Sequence, residues 1–337
     1  MNREVYDKIV KASGIQAGDL VVIQYWAEDC LKEDVISLQA AVAKQGATPL
    51  MLMQSVKLNQ QIFENATKDC FGEKYFSVIK TADVFIDLIE RPISMLMKPL
   101  EKERMDICMK FAQEMFQTSV SCRKMLQIRI PTKAMAEMEG IEPEEFAQRM
   151  ESAMNIDYDE MKQRCEKMIE GLTKHKQITI TTGENGQYAL TFSLEGRVWN
   201  ADCGDGDLPC GEVYISPIEN ETNGEVYFEQ IYLSDLEHPK EKKCYEKVVF
   251  TVENGLIISA NHAEIMTWLE KMGKEQVTVC ELGFGLNEHV TSLCGCAVLD
   301  EKMNGTFHIG IGDNTMFGGE NEADIHMDFI GKIVKAV

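Results

Sequence analysis

The chain has 337 residues, 45% hydrophobic and 26% charged, with 8 prolines, a composition that excludes a disordered chain and leaves room for two packed cores. Its 34 Lys and Arg against 55 Asp and Glu give a formal charge of −21, a field that repels polynucleotide backbones and anionic bilayers, so neither nucleic acid nor membrane is an expected partner. The start lacks the basic and apolar blocks of a secretory signal, no apolar run approaches a membrane span, and 11 cysteines suit reduced thiols, so a cytoplasmic location is expected.

The first half alternates strand and helix signals. Leu20 to Trp26 is a buried-strand run, Leu31 to Lys44 has helical spacing, and Thr48 to Met53 reads as a second strand. Ala82 to Leu88, the helix-like Glu101 to Gln117 and Met125 to Ile130 continue the rhythm of βαβ units and a mainly parallel sheet. Met105, Met109, Met115 and Phe116 form a stripe that reads as the core face of that helix. Thr132 is placed as an N-cap, and Pro143 to Lys174 reads as helical and charged, with Pro143 in a first turn and Gly171 near the end.

Beyond residue 175 the pattern changes to short, β-branched, turn-bounded runs: Gln177 to Thr182, Gln187 to Leu194, Gly211 to Ile215, Glu225 to Leu233, Lys247 to Val252 and Gly255 to Ala260. Hairpins are expected there, with a helix over Ala263 to Met272 and a strand from Val277 running into Glu281. The expected fold is therefore α/β: an N-terminal parallel-sheet α/β domain over residues 1–175 and a C-terminal strand-rich α+β domain over 176–337.

The last segment carries the strongest chemical signal. It places two of the six histidines, His308 and His326, in a Gly-rich stretch, with Asp328 two residues after His326. Residues at i and i+2 of a strand share a face, about 6.5 Å apart, so both side chains can converge on one ion. Imidazole and carboxylate together suit Zn, Co, Mn or Fe. Thr306, His308 and Gly310 alternate on one strand face, where glycine leaves room for a ligand. Glu212 opens a strand from a loop holding Asp202, Asp205 and Asp207, and Glu281 closes a strand beside Gly283 and Gly285. Each is a candidate ligand or general base. The acidic loop lacks EF-hand spacing, the two glycines do not form a dinucleotide fingerprint, and no Walker or nucleophile-elbow motif occurs. Cys294 and Cys296, with Cys203, Cys210 and Cys280, do not have zinc-ribbon spacing and are read as structural thiols.

Ile130-Pro-Thr132 with Met135-Ala136, Gly196-Arg-Val-Trp199, Pro209-Cys-Gly-Glu-Val213, the Glu281 segment, Gly305-Thr-Phe-His-Ile-Gly-Ile-Gly312 and His326-Met-Asp328 follow one another in the order of the thermophilic-type metalloaminopeptidases, the aminopeptidase T and aminopeptidase S group. The chain resembles that family over most of its length. The resemblance implies a homodimer acting on a small-molecule or short-peptide substrate, with one or two divalent metals held by Glu212, Glu281, His308, His326 and Asp328. It implies metal-activated water as nucleophile, with Glu212 or Glu281 bridging metals or serving as base. One position departs: the family has a ligand tyrosine seven residues after the first histidine, and this chain has Thr315. The interval between the histidines is also shorter. A branch similar in the same motifs, the dihydroxypyridine ring-opening dioxygenases, holds a single ferrous ion on two histidines and an aspartate, a set that His308, His326 and Asp328 could supply. Ring opening of a small cyclic or aromatic substrate is accordingly the alternative expectation.

Overall fold

The computed structural model describes residues 1–26, 32–90, 94–234 and 242–336. Its contacts divide the chain into two compact units, 1–158 with 204–209, and 159–203 with 210–337.

In the first unit, helix α1 (Arg3–Ala12) precedes β1 (Leu20–Trp26), α2 (Lys32–Lys44), β2 (Thr48–Gln54), α3 (Val56–Asn65), α4 (Glu73–Lys80), β3 (Val84–Ile89), α5 (Lys102–Val120), β4 (Lys124–Arg129), α6 (Lys133–Glu139) and α7 (Pro143–Met154). The four strands form a parallel sheet in the order β2-β1-β3-β4. Val21, Val22 and Ile23 of β1 are buried, as a strand covered on both faces requires. Local chemistry sets the helix ends. Ser55 and Thr132 cap α3 and α6 by accepting from Leu58 and Met135 amides, and Gly140 closes α6 at φ 71°. The Leu31 at which the α2 helix was expected to begin lies outside the described residues.

Two expectations are corrected here. The core face of α5 is Cys108, Phe111, Met115 and Thr118, while Met109 and Phe116 are exposed; of the methionine stripe only Met115 is buried. Pro143 to Lys174 is two helices, α7 and α8 (Tyr158–Leu172), broken at Asn155. Helices α1, α3 and α4 carried no expectation, and their apolar faces are short.

The second unit contains two antiparallel sheets. After β5 (Gln177–Thr182), β6 (Tyr188–Ser193) and β7 (Asn200–Asp202) comes β8 (Asp207–Leu208), which belongs to the first unit and extends its sheet beside β4. Then follow β9 (Glu212–Ile215), β10 (Asn223–Ser234), β11 (Lys242–Glu253), β12 (Leu256–Ala260), α9 (Ala263–Glu270), β13 (Val279–Gly285), α10 (Ala297–Asp300), β14 (Thr306–Gly312), β15 (His326–Lys332) and β16 (Lys335–Ala336). One sheet runs β12-β11-β10-β6-β5-β16 and the other β15-β14-β13-β9-β7.

Phe228 and Phe250 of the first of these sheets pack on Phe307 and Phe329 of the second, with ring centroids 5.1 to 6.1 Å apart. Each ring is fully buried, worth about 2 kcal/mol apiece by area. Strand alternation does the rest. With Phe307, Ile309 and Ile311 turned into this core, Thr306, His308 and Gly310 must face the other way. Among the described residues no helix is long and apolar enough to cross a membrane.

Candidate metal centre

Sheet register brings the five expected ligands onto one face. Glu281 pairs with Gly310, which pairs with Asp328; Gly283 pairs with His308; Gly312 pairs with His326; and Glu212 pairs with Gly285. Directly opposed residues point the same way, so the carboxylates and imidazoles stand together on the polar side of β9, β13, β14 and β15. A register shift between Val279 and Glu281 marks a bulge, a device that re-aims a strand beside a site.

The cluster is continuous. His308 Nε2 lies 3.4 Å from Glu212 Oε2 and 3.2 Å from Glu281 Oε1. The other Glu281 oxygen is 3.3 Å from His326 Nε2, which is 3.5 Å from Asp328 Oδ1. Glu281 thus offers one oxygen to each histidine. Glu281, His308 and Asp328 also place ligand atoms within 4.8 Å of one another.

Glycines make this crowding possible. A Cβ on Gly283 would stand 2.0 Å from His308 Nε2, and one on Gly310 would meet Glu281 Cβ at 2.8 Å and Asp328 Oδ1 at 3.1 Å. The imidazole of His308 therefore lies directly over the backbone of β13.

The surrounding residues orient the ligands. His326 Nδ1 donates to the Asp313 carbonyl at 2.7 Å, which leaves Nε2 with its lone pair toward the cluster once that nitrogen is unprotonated. The loop carrying Asp313 is pinned by Asn314, whose amide reaches Ser216 Oγ, Glu219 and the Cys280 carbonyl. Arg197 pairs with Glu219 at 2.6 Å and donates to the Gly318 carbonyl. Thr315 is exposed and its hydroxyl donates to the Asp313 carboxylate at 2.9 Å. The same loop presents Phe317, edge-on to the His326 ring at 5.7 Å and to Tyr214 at 5.5 Å.

The donor set fits a divalent metal. Glu212 Oε2 and Asp328 Oδ1 are buried without a hydrogen-bond partner, and all five candidates offer oxygen or imidazole nitrogen. Ten described cysteines are thiols, and none joins the ligand group.

Protonation supports the same conclusion. Burial alone would lower the His308 pKa, but the hydrogen bond to Glu281 and the charges of Glu212, Glu281 and Asp328 outweigh it and raise it to about 9. Burial is likewise outweighed at His326 by Asp328, Cys280 and Glu281, so its pKa is raised. The converse holds for the acids. Burial pushes Glu281 and Asp328 up, yet the two imidazoles hold Glu281 below its ordinary value, and His326 above all brings Asp328 down to about 2. In the metal-free protein these shifts favour the protonated imidazoles beside the carboxylates.

A metal must displace those protons. Uptake at pH 6.5 is expected to release protons, and apparent affinity to rise with pH toward about 9. Titration calorimetry in buffers of different ionisation enthalpy measures the release. The metal-free fold behaves oppositely: the stabilisation from protonated His308 is complete below about pH 6.5 and is lost as pH rises through about 9. Melting temperatures of chelated and metal-loaded protein should diverge across that interval.

Two neighbours of the cluster escaped sequence reasoning. Lys302, buried, contacts Glu212 and Glu301, with Asp202 at 3.4 Å. Of the other acidic-loop residues, Asp205 pairs with Lys124 and Asp207 with Arg129.

Comparison with known proteins adds to this geometry. The model of the thermophilic metalloprotease (M29) family matches residues 8–333. No curated protein sequence matches significantly. Among solved structures, wild-type AmpT from Thermus thermophilus is similar with a TM-score of 0.66 and 15% identity, over 99% of this chain and 93% of that one. The 2,5-dihydroxypyridine dioxygenase of Pseudomonas putida KT2440 is similar with a TM-score of 0.65 and 14% identity, over 98% of this chain and 91% of that one. At such identities both likenesses speak to the fold, which is the expected mixed α/β architecture.

Proposed function

The chain belongs to the thermophilic metalloprotease (M29) family, and from that premise we propose that it is an aminopeptidase-type hydrolase whose site is Glu212, Glu281, His308, His326 and Asp328. Family membership carries the dependence on a divalent metal and the hydrolysis of peptide bonds. The observation that supports the site is Glu281, one carboxylate oxygen toward each histidine. Glu212 with His308, and Asp328 with His326, would complete two ligand sets around it. When bound, such a metal lowers the pKa of water and polarises a scissile carbonyl. The residues themselves fix the positions of charge and exclude water behind β13, all seven of whose residues are buried.

Aminoacyl anilides and short peptides test the reading. Metal-replete enzyme should hydrolyse them and chelated enzyme should not; absence of turnover across a broad panel of N-terminal residues would sink it.

The second reading, ring opening on one ferrous ion, draws on Thr315, which has a neutral hydroxyl where the family has a phenol. It requires His308 and His326 to share an ion with Asp328, whereas the residues whose ligand atoms lie within 4.8 Å of one another are Glu281, His308 and Asp328. Oxygen uptake on hydroxypyridines would favour it. We also propose a cytoplasmic homodimer. The cysteines, present as thiols, support the location, family resemblance supports the dimer, and light scattering at twice the chain mass would bear it out.

A further inference from the structure

Tyr214 stands on the face of the ligand cluster and is not one of the five candidates. It lies two residues after Glu212 on β9, so both side chains leave that strand on the same side. Register agrees, since Tyr214 pairs with Gly283 and Gly283 with His308. The Tyr214 ring is half-buried and edge-on to Phe317 at 5.5 Å, and Phe317 is edge-on to His326 at 5.7 Å. These contacts join β9 to β15 through one aromatic file beside the carboxylates. The loop fixes Phe317 within it: the Gly318 carbonyl accepts from Arg197, and a Cβ on Gly319 would run into the Asn314 side chain. The hydroxyls of Tyr6 and Tyr158 are spent on the Asp34 carboxylate and the Met154 carbonyl, and Thr306, also on the ligand face, spends its own on the Met303 carbonyl. No described residue hydrogen-bonds the Tyr214 hydroxyl. Because half-buried polar groups normally find partners, that O–H is available to a ligand at the metal face.

We propose that Tyr214 is a catalytic residue of this hydrolase, donating a hydrogen bond to the carbonyl oxygen of the scissile bond, with Phe317 as the positioning residue beside its ring. This rests on the hydrolase reading. As the water oxygen bonds to the carbonyl carbon, the π pair moves to the carbonyl oxygen, and the phenol O–H meets the charge that develops there. When the carbon–nitrogen bond breaks, its pair leaves with nitrogen and the carbonyl reforms. The proton shed by the water ends on that nitrogen, giving a carboxylic acid and an amine. Tyr214 neither gains nor loses a proton in this cycle. Its hydrogen bond strengthens only as charge builds on oxygen, so its effect falls on kcat rather than on KM.

The competing role is packing, in which Tyr214 only fills the space beside Phe317. Tyr214→Phe separates the two, because it keeps the ring and its edge contact and removes the oxygen alone. In metal-loaded Tyr214→Phe, melting temperature, metal content and KM should match wild type while kcat falls roughly 10²- to 10³-fold. An unchanged kcat overturns the proposal, and so does loss of metal, which would make the phenol a ligand. A readout independent of turnover is calorimetric binding of the phosphonic acid analogue of leucine, whose charged tetrahedral oxygens stand in for the developing oxyanion. Its affinity should drop roughly 10- to 10²-fold in Tyr214→Phe while that of leucine itself holds; equal losses for both, or none, overturn the proposal. Wild type inactive on every peptide would overturn the hydrolase reading and this role with it, whereas failure of the role alone leaves wild type active and Tyr214→Phe its equal.

Discussion

Glu281→Gln is expected to leave the protein with no more than one metal ion per chain and to reduce peptide turnover by roughly 10³-fold or more, the scale of losing metal-based stabilisation of charge. The substitution is nearly isosteric, so packing is not the cause. An amide keeps one oxygen and gains an NH₂ group, and it can therefore serve one histidine's ion while its nitrogen repels the other. The present carboxylate contacts His308 at 3.2 Å and His326 at 3.3 Å. Elemental mass spectrometry and a peptide assay on the same preparation check both parts; a variant that retains its full metal content would show that Glu281 is not the shared ligand.

The second large effect comes from a residue with no chemistry of its own. Gly283→Ala builds a methyl group 2.0 Å from His308 Nε2, and the fixed imidazole, confined by Glu212 and Glu281, has to move. The expected results are loss of metal and a destabilisation of about 1–3 kcal/mol from overpacking. Gly283 has no positive φ, so alanine adopts its backbone without strain and the effect isolates the contact. Gly171→Ala in α8 is the control: nothing lies within 4 Å of its added Cβ, and alanine should stabilise that helix by up to about 1 kcal/mol. Metal binding at wild-type level in Gly283→Ala would mean that His308 is not held where the register puts it.

What was legible in the sequence follows from range. Strands such as β1, β5 and β12 declare themselves through alternation or continuous apolar runs, and their observed bounds fall within a residue or two of expectation. The His-x-Asp spacing and the Gly-flanked His308 are local signals too, since a strand turns them into a shared face without help from elsewhere. Glu212 and Glu281 needed the family's motif order, because register alone brings a strand-opening and a strand-interior carboxylate together. Lys302 and Glu301 had no such signal. An Asp-Glu-Lys triplet looks like solvated surface, and only tertiary folding carries Glu212 to an ammonium 90 positions away. The methionine stripe misled for a related reason: helical spacing identifies a face, but the packing of α5 decides which of its residues enter the core. Thr315 was noticed as a departure, yet the Phe317 ring beside His326 shows what that loop contributes instead.

The most direct measurement is metal content per chain in protein purified without oxygen or chelator, beside Glu281→Gln and His326→Ala. Two divalent ions per chain in the wild type, falling in both variants, is the predicted result. A wild type that holds a single ion, unchanged in Glu281→Gln, would contradict the shared-carboxylate centre.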